Sequence, residues 1–203
     1  MAVYGEYLAA GEVIGRIQRE GVLFQRSGGG LTVSGGEPLN QPEFLLRLLA
    51  EAKKSGSGPP WRPPAMAALK YWPQAAGYLD TILYDVKTVD PLRHRQFAGA
   101  DNELILRNLL RLAESRPKLH LTVRTPVIPS FNDFPEAAGD LGRFLAQLPG
   151  VKFEALPYHR LGQSKHAFLD RPWLMGSLAP ADGAAEEFRN IAAASRRDAE
   201  SGR

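Results

Sequence analysis

A glycine-rich turn that carries one carboxylate is the segment of this sequence best suited to hold a ligand. The apolar, β-branched run Leu31–Val33 predicts a buried strand, and it leads directly into Ser34-Gly35-Gly36-Glu37-Pro38. Gly35 and Gly36 allow backbone amides to approach a bound molecule closely, and the carboxylate of Glu37 can face that molecule. An ordinary glycine turn between a strand and a helix has the same composition, so this segment alone leaves both interpretations open.

Four charged or polar side chains further along the chain lie within or just after predicted strands. They are Asp85, Lys87, Arg124 and His159. In parallel α/β barrels the carboxyl ends of the strands carry the chemistry, so we expect these side chains to converge at one edge. Each of them, taken singly, could equally be a turn, surface or loop residue. The other histidines have no metal-ligand spacing with one another, and no metal site is predicted.

The elements that must position these residues alternate between strand-like and helix-like apolar spacing, which predicts a parallel α/β sheet or barrel. The predicted strands cover 30–34, 81–84, 120–128 and 151–156, and the predicted helices cover 8–24, 41–54, 102–113, 135–147 and a stretch that begins at Ala179. In the helix over 102–113, one apolar face is expected to contain Leu104, Ile105, Leu109 and Leu112. Asn132 and Asp133 are expected to cap the helix that follows them.

Length and composition favour a single domain, because 203 residues with 44% hydrophobic content suffice for one sizeable core. The predicted domain covers residues 1–180, and residues 181–203 form a C-terminal helix with a polar tail that frays from Arg196. No apolar run approaches the ~20 residues of a membrane helix, and the start has no signal pattern, so a cytoplasmic protein without a membrane partner is expected. The basic pairs Lys53-Lys54 and Arg196-Arg197 are interpreted as solvated helix faces rather than as a nucleic-acid site.

Five segments, in this order along the chain, resemble the activating enzymes of glycyl radical enzymes. This family, which includes the pyruvate formate-lyase activating enzymes, belongs to the radical S-adenosylmethionine (SAM) proteins. The segments are Ser27–Phe44, Leu83–Lys87, Asn102–Leu106, Arg124–Asp133 and Leu156–Lys165. The resemblance implies an incomplete parallel (β/α) barrel of the radical SAM type, in which the first strand is missing and the third is disrupted.

The resemblance also implies a SAM site at the barrel edge. In it Gly35, Gly36 and Glu37 would hold the amino group of SAM, and Lys87 would meet its carboxylate. Arg124 would contact the ribose side, and His159 would support the methionine portion. Asp85 occupies the position at which the family binds a small monovalent cation.

The cluster that drives chemistry in this family has no ligands in this chain. The family holds a 4Fe–4S cluster with three cysteines, usually spaced CxxxCxxC, and this sequence contains no cysteine. We therefore expect Met1 to be a late start and the chain to be inactive as written. The parent reaction would be reductive cleavage of SAM, with a flavodoxin or ferredoxin-type electron donor, to place a radical on a partner glycyl radical enzyme. The alternative is a cysteine-free module that binds SAM or a partner, and a phosphate-binding barrel is a weaker third possibility.

The segment from Ser57 to Met66 departs from the family pattern, which has a strand that ends in a motif such as ETSGY. Its four prolines are incompatible with an interior strand, because proline donates no ladder hydrogen bond. The flanking sequence stays in register, and two compensating frameshifts would produce that result. If Pro60–Met66 is encoded CCG TGG AGA CCT CCG GCT ATG, a shifted frame reads Val-Glu-Thr-Ser-Gly-Tyr. A genuine proline-rich loop is the alternative.

Overall fold

The computed structural model describes residues 5–19, 26, 32–33, 40–54, 60–61, 75, 77–115, 117–161, 163, 166, 176, 178–179 and 181–202. Within these ranges the helices are α1 (Ala10–Arg19), α2 (Pro42–Lys54), α3 (Pro91–Ala98), α4 (Glu103–Ser115), α5 (Pro135–Leu145) and α6 (Ala184–Ser201). The strands are β1 (Pro60–Trp61), β2 (Thr81–Asp85), β3 (His120–Val127) and β4 (Lys152–Pro157). None of the helices in the described ranges is both long and apolar enough to span a bilayer.

The strands form one sheet in the order β1-β2-β3-β4. β3 and β4 pair in parallel, with the register running from Thr122 opposite Lys152 to Val127 opposite Pro157. β1 pairs in parallel with the start of β2, so that Pro60 lies opposite Thr81 and Trp61 opposite Ile82. This parallel arrangement, with helices between the strands, confirms the predicted α/β class.

The proline-rich segment 57–66, predicted as irregular, contains the two-residue strand β1. Pro60 is tolerated there because β1 ends the row of strands among the described residues, where a missing N–H can face away from the ladder. The prediction of an irregular loop is therefore wrong at Pro60 and Trp61, which pair with β2, and the rest of the segment lies outside the described residues. Thr32 and Val33, the described part of the predicted strand 30–34, are not in a strand.

The chain divides into two compact units. The first contains Met1–Tyr84 and Arg111–Leu121, and the second contains Asp85–Leu110 and Thr122–Arg203. In the first unit α1 packs on α2 through a buried cluster of Ala10, Ile14, Leu48 and Ala52. These positions recur at helical spacing on both elements, which explains why two amphipathic helices form and pair here.

In the second unit α6 packs on α5 and β4. At Gly142 the two helices are so close that a Cβ atom would overlap the carbonyl oxygen of Ala192. The guanidinium of Arg196 donates to the carbonyl oxygens of Val151 (2.8 Å) and Leu148 (3.0 Å), just before β4. The prediction of a frayed tail from Arg196 is wrong, because α6 continues to Ser201 and these bonds tie it to the unit.

Two further differences from the sequence predictions have local causes. The sequence did not predict α3, whose polar residues carry no apolar stripe. Its signals are instead at its ends: Asp90 Oδ1 accepts from the N–H groups of Leu92 and Arg93, and Gly99 ends the helix with φ of 81°. In α4 Leu104 is 40% exposed, so it lies off the buried face on which it was predicted.

Candidate functional site

Four of the seven predicted site residues are described, and all four belong to the second unit. Asp85 is the last residue of β2, Lys87 follows two positions later, and Arg124 lies in the second half of β3. His159 is exposed and lies two residues after the end of β4. The predicted ligands of the SAM amino group, Gly35, Gly36 and Glu37, lie outside the described residues.

Asp85 and Arg124 bind each other. The guanidinium of Arg124 donates twice to Asp85 Oδ1, from Nη2 at 2.7 Å and from Nε at 3.0 Å. The N–H of Val86 donates to the carbonyl oxygen of Arg124 at 2.9 Å, so the two strands run side by side at this point. Arg124, predicted to contact the ribose side of SAM, is thus joined in one ion pair with Asp85, which was predicted to bind a small monovalent cation. The half-exposed carboxylate is already partly neutralised, so any cation that binds there shares it with a guanidinium.

The pair lies on the less buried face of the sheet. Side chains alternate between the two faces of a strand. On the opposite face the side chains are buried, and they are Tyr84, Val86, Val123, Thr125 and Val127. Burial raises the pKa of the Tyr84 hydroxyl through desolvation, so this face holds a neutral phenol. Glu154 lies opposite Arg124 in the register of β4 and is exposed, so Arg124 stands between two acidic residues on neighbouring strands.

Asn132, near the candidate site, has a different role from the one predicted from the sequence. Asn132 and Asp133 were expected to cap the next helix, but α5 has Phe134 at its N-cap with no side-chain cap bond. The Nδ2 amide of Asn132 instead donates to the carbonyl oxygens of Lys87 (2.6 Å) and Pro126 (3.0 Å). Its Oδ1 accepts from the N–H of Ile128 at 2.7 Å. Asn132 therefore joins the backbone that follows β2 to the end of β3.

The residues of this chain do not fit an iron–sulfur cluster. The sequence has no cysteine, and in the described ranges no group of three or more His, Asp or Glu side chains is placed to hold a metal ion. Thiolates are the usual ligands of such clusters, because their soft, charged sulfur matches iron–sulfur bonding. Besides Asp85 and Glu154, this part of the sheet carries Lys87, Arg124 and His159, whose donors can bind a polar organic molecule with an anionic group.

Comparisons with known proteins give a consistent set of relatives, although no protein-family model matches the chain. The (2S)-3-sulfopropanediol sulfolyase activating enzyme of Bilophila wadsworthia is 40% identical over 168 residues, which are 83% of this chain and 56% of that protein. The isethionate sulfite-lyase activating enzyme of Desulfovibrio desulfuricans is 40% identical over 179 residues, 88% of this chain and 57% of that protein. The chain thus spans a little over half the length of these relatives.

A crystal structure of a domain of the pyruvate-formate lyase-activating enzyme of Bacteroides vulgatus has the same fold. It superimposes with a TM-score of 0.66 at 27% identity, over 82% of this chain and 94% of that domain. This structural similarity supports the partial parallel (β/α) barrel that was predicted from the sequence, in addition to the α/β class.

Proposed function

We propose that this chain, which belongs to the family of glycyl radical enzyme activating enzymes, binds SAM at the carboxyl ends of β2, β3 and β4. The observation that supports the proposal is that Asp85, Lys87, Arg124 and His159 lie within, or just after, the neighbouring strands β2, β3 and β4. Parallel α/β barrels place ligands at this edge.

Each described residue has a role that its chemistry supports. The ammonium of Lys87 binds the carboxylate of SAM as a point charge, and Arg124 offers donors to the ribose hydroxyls. His159, exposed after β4, contacts the methionine portion. Asp85 orients the guanidinium of Arg124, and a small monovalent cation is the alternative occupant beside its carboxylate. Gly35, Gly36 and Glu37 complete the proposed site at the amino group.

The reaction of the whole protein is part of the proposal. A complete activating enzyme cleaves SAM reductively with a 4Fe–4S cluster and generates a radical on its partner, with electrons from a flavodoxin or ferredoxin-type donor in the cytoplasm. Because this chain has no cysteine, we expect it to bind SAM without cleaving it. Residues 1–180 form the binding domain in this proposal, and 181–203 form a C-terminal helix and tail. The alternative function is a cysteine-free module that binds SAM or the partner without radical chemistry.

A partner class follows from the two curated relatives. Both are activating enzymes of lyases whose named substrates, sulfopropanediol and isethionate, are small aliphatic sulfonates. We propose a glycyl radical lyase for a sulfonate as the first partner to test. Its gene next to the gene of this chain would support that assignment, and co-elution of the two purified proteins would test it directly.

SAM binding can be tested by titration calorimetry on the full chain. The wild type is expected to bind SAM weakly, and Lys87→Ala to reduce the affinity about tenfold or more, because a charged hydrogen bond contributes ~1.5–3 kcal/mol. Lys152→Ala is the matched control: it removes the same charge from the amino end of β4 in the same unit. Equal heats from the wild type and Lys87→Ala would remove Lys87 from the site.

A further inference from the structure

The loop after β2 is held by an unusual row of side-chain hydrogen bonds. Three consecutive carbonyl oxygens, those of Val86, Lys87 and Thr88, each accept from a different side chain. The donors, in the same order, are Thr125 Oγ1 at 2.7 Å, Asn132 Nδ2 at 2.6 Å and Asn102 Nδ2 at 2.6 Å. None of these bonds belongs to a helix or a sheet ladder.

The three donors are all buried. Thr125 and Asn132 are 0% exposed, and Asn102 is 1% exposed. A buried carbonyl without a partner destabilises the fold, so a loop that leaves its sheet needs such donors. The donors come from β3, from the loop after β3, and from the residue that precedes α4. Side chains from three separate segments thus hold the backbone around Lys87 in place. The side chain of Lys87 itself is only half-buried.

The centre of this row is Asn132, whose side-chain amide donates to the carbonyl oxygen of Lys87 itself. Its second amide hydrogen bond goes to Pro126 and its oxygen accepts from Ile128, so both ends of the side chain are committed. This amide therefore fixes the position of Lys87 relative to the end of β3, three residues beyond Arg124. Without it the loop would have to be ordered when a ligand binds, and that ordering costs conformational entropy.

We propose that Asn132 is a positioning residue for SAM binding that acts through Lys87. The inference rests on the proposed function, and it extends that function to a residue that itself does not touch the ligand. Asn132 holds the backbone of Lys87, so that the ammonium group is already positioned near the end of β2 before SAM binds. Thr125 and Asn102 support the neighbouring carbonyls in the same way.

A double-mutant cycle on the full chain tests this role. Asn132→Ala is expected to weaken SAM binding about fivefold to tenfold, since the hydrogen bond to the Lys87 carbonyl, the other two side-chain bonds of Asn132 and the order of a short loop are lost. In the Lys87→Ala background the same substitution is expected to change the affinity less than about twofold, because the group it positions is gone. Asn190→Ala, at an exposed position of α6, is the matched control and should change neither affinity.

Amide hydrogen exchange separates this inference from SAM binding as such. Faster exchange at Val86 and Asp90 in Asn132→Ala, with α6 unchanged, supports the positioning of the Lys87 backbone by Asn132. A wild type that binds no SAM would overturn the proposed function, and with it the role of this positioning in SAM binding. Equal weakening of SAM binding in both backgrounds, or unchanged exchange in the loop, would overturn the positioning role. If Asn132→Ala does not fold, Asn132→Asp serves instead, because it keeps the acceptor for Ile128 but cannot donate to Lys87.

Discussion

Arg124 and Asp85 form an ion pair between two adjacent strands, with both guanidinium bonds directed to the single oxygen Oδ1 at 2.7 and 3.0 Å. The side chain of Arg124 is only 14% exposed, whereas that of Asp85 is 38% exposed. The arginine is thus the desolvated partner and the carboxylate the accessible one. Because the two side chains share hydrogen bonds, a group that binds Asp85 also changes the environment of Arg124.

Asp85→Asn should lower the free energy of unfolding by about 1–3 kcal/mol, because a largely buried guanidinium loses the carboxylate that accepts two of its hydrogen bonds. Asp140→Asn is the control: it removes a carboxylate from an exposed pair with Arg143 in the same unit. Asp140→Asn should change the free energy of unfolding by less than about 0.5 kcal/mol. Urea unfolding of both variants measures the difference, and equal losses would show that the Asp85 pair is no more than a surface contact.

Gly142→Ala should destabilise the protein by about 1–3 kcal/mol, because the added methyl group collides with the backbone of α6 at Ala192. Gly139→Ala, one turn earlier in α5, is the matched control. Its Cβ would meet only the ends of Arg143 and Ser195 side chains, at 3.3 and 3.5 Å. In thermal unfolding the midpoint of Gly142→Ala should be clearly lower than that of Gly139→Ala. The reverse order would contradict the close packing of α5 on α6.

Arg196→Gln should lower the free energy of unfolding by about 1–3 kcal/mol, since two backbone carbonyls lose a charged donor. Arg197→Gln changes an exposed neighbour on the same helix and should be close to neutral. Amide exchange near the end of α6 gives a second measurement, because a tail that is already frayed would exchange equally fast in both variants.

What the sequence could predict was set by local patterns. Apolar spacing located α2, α4, β2 and β3 to within a few residues, because their buried faces repeat at helical or strand periods. The role of Asn132 had no such signal. Its partner Lys87 is 45 residues away in the sequence, and a cap and a buried cross-link use the same side-chain chemistry.

Arg196 was misjudged for a related reason, since a basic residue in a polar stretch is usually solvated and only the fold supplies its carbonyl partners. The candidate site was predicted from its motifs rather than from any pattern of burial. Local periodicity therefore predicts the elements, whereas contacts between residues distant along the chain, such as that of Asn132 with Lys87, appear only in the structure.

Replacing Trp61–Met66 with Val-Glu-Thr-Ser-Gly-Tyr should lengthen β1. Among the described residues the strand pairs at Pro60 and Trp61, and the prolines that follow in the sequence have no N–H to donate. The replacement restores N–H donors and β-branched residues, so slower amide exchange in β2 and a higher midpoint of thermal unfolding are expected. Unchanged exchange would favour a genuine proline-rich loop over the compensating frameshifts, and resequencing the gene at these codons gives an independent answer.

The chain as written should take up no 4Fe–4S cluster and should not cleave SAM reductively. With no cysteine in its sequence it lacks the thiolates that hold such a cluster, and the described His, Asp and Glu side chains form no group of three that could replace them. The measurement is anaerobic reconstitution with iron and sulfide, followed by absorbance in the sulfur-to-iron charge-transfer region and an assay for 5′-deoxyadenosine after dithionite. The isethionate sulfite-lyase activating enzyme of Desulfovibrio desulfuricans, treated in parallel, controls for the procedure. Stoichiometric iron in this chain together with SAM-dependent 5′-deoxyadenosine would overturn the prediction. The expected result is that the chain shows neither cluster absorbance nor 5′-deoxyadenosine but still binds SAM, and that Lys87→Ala weakens this binding. That is the behaviour of a chain that keeps the ligand site and lacks the cluster.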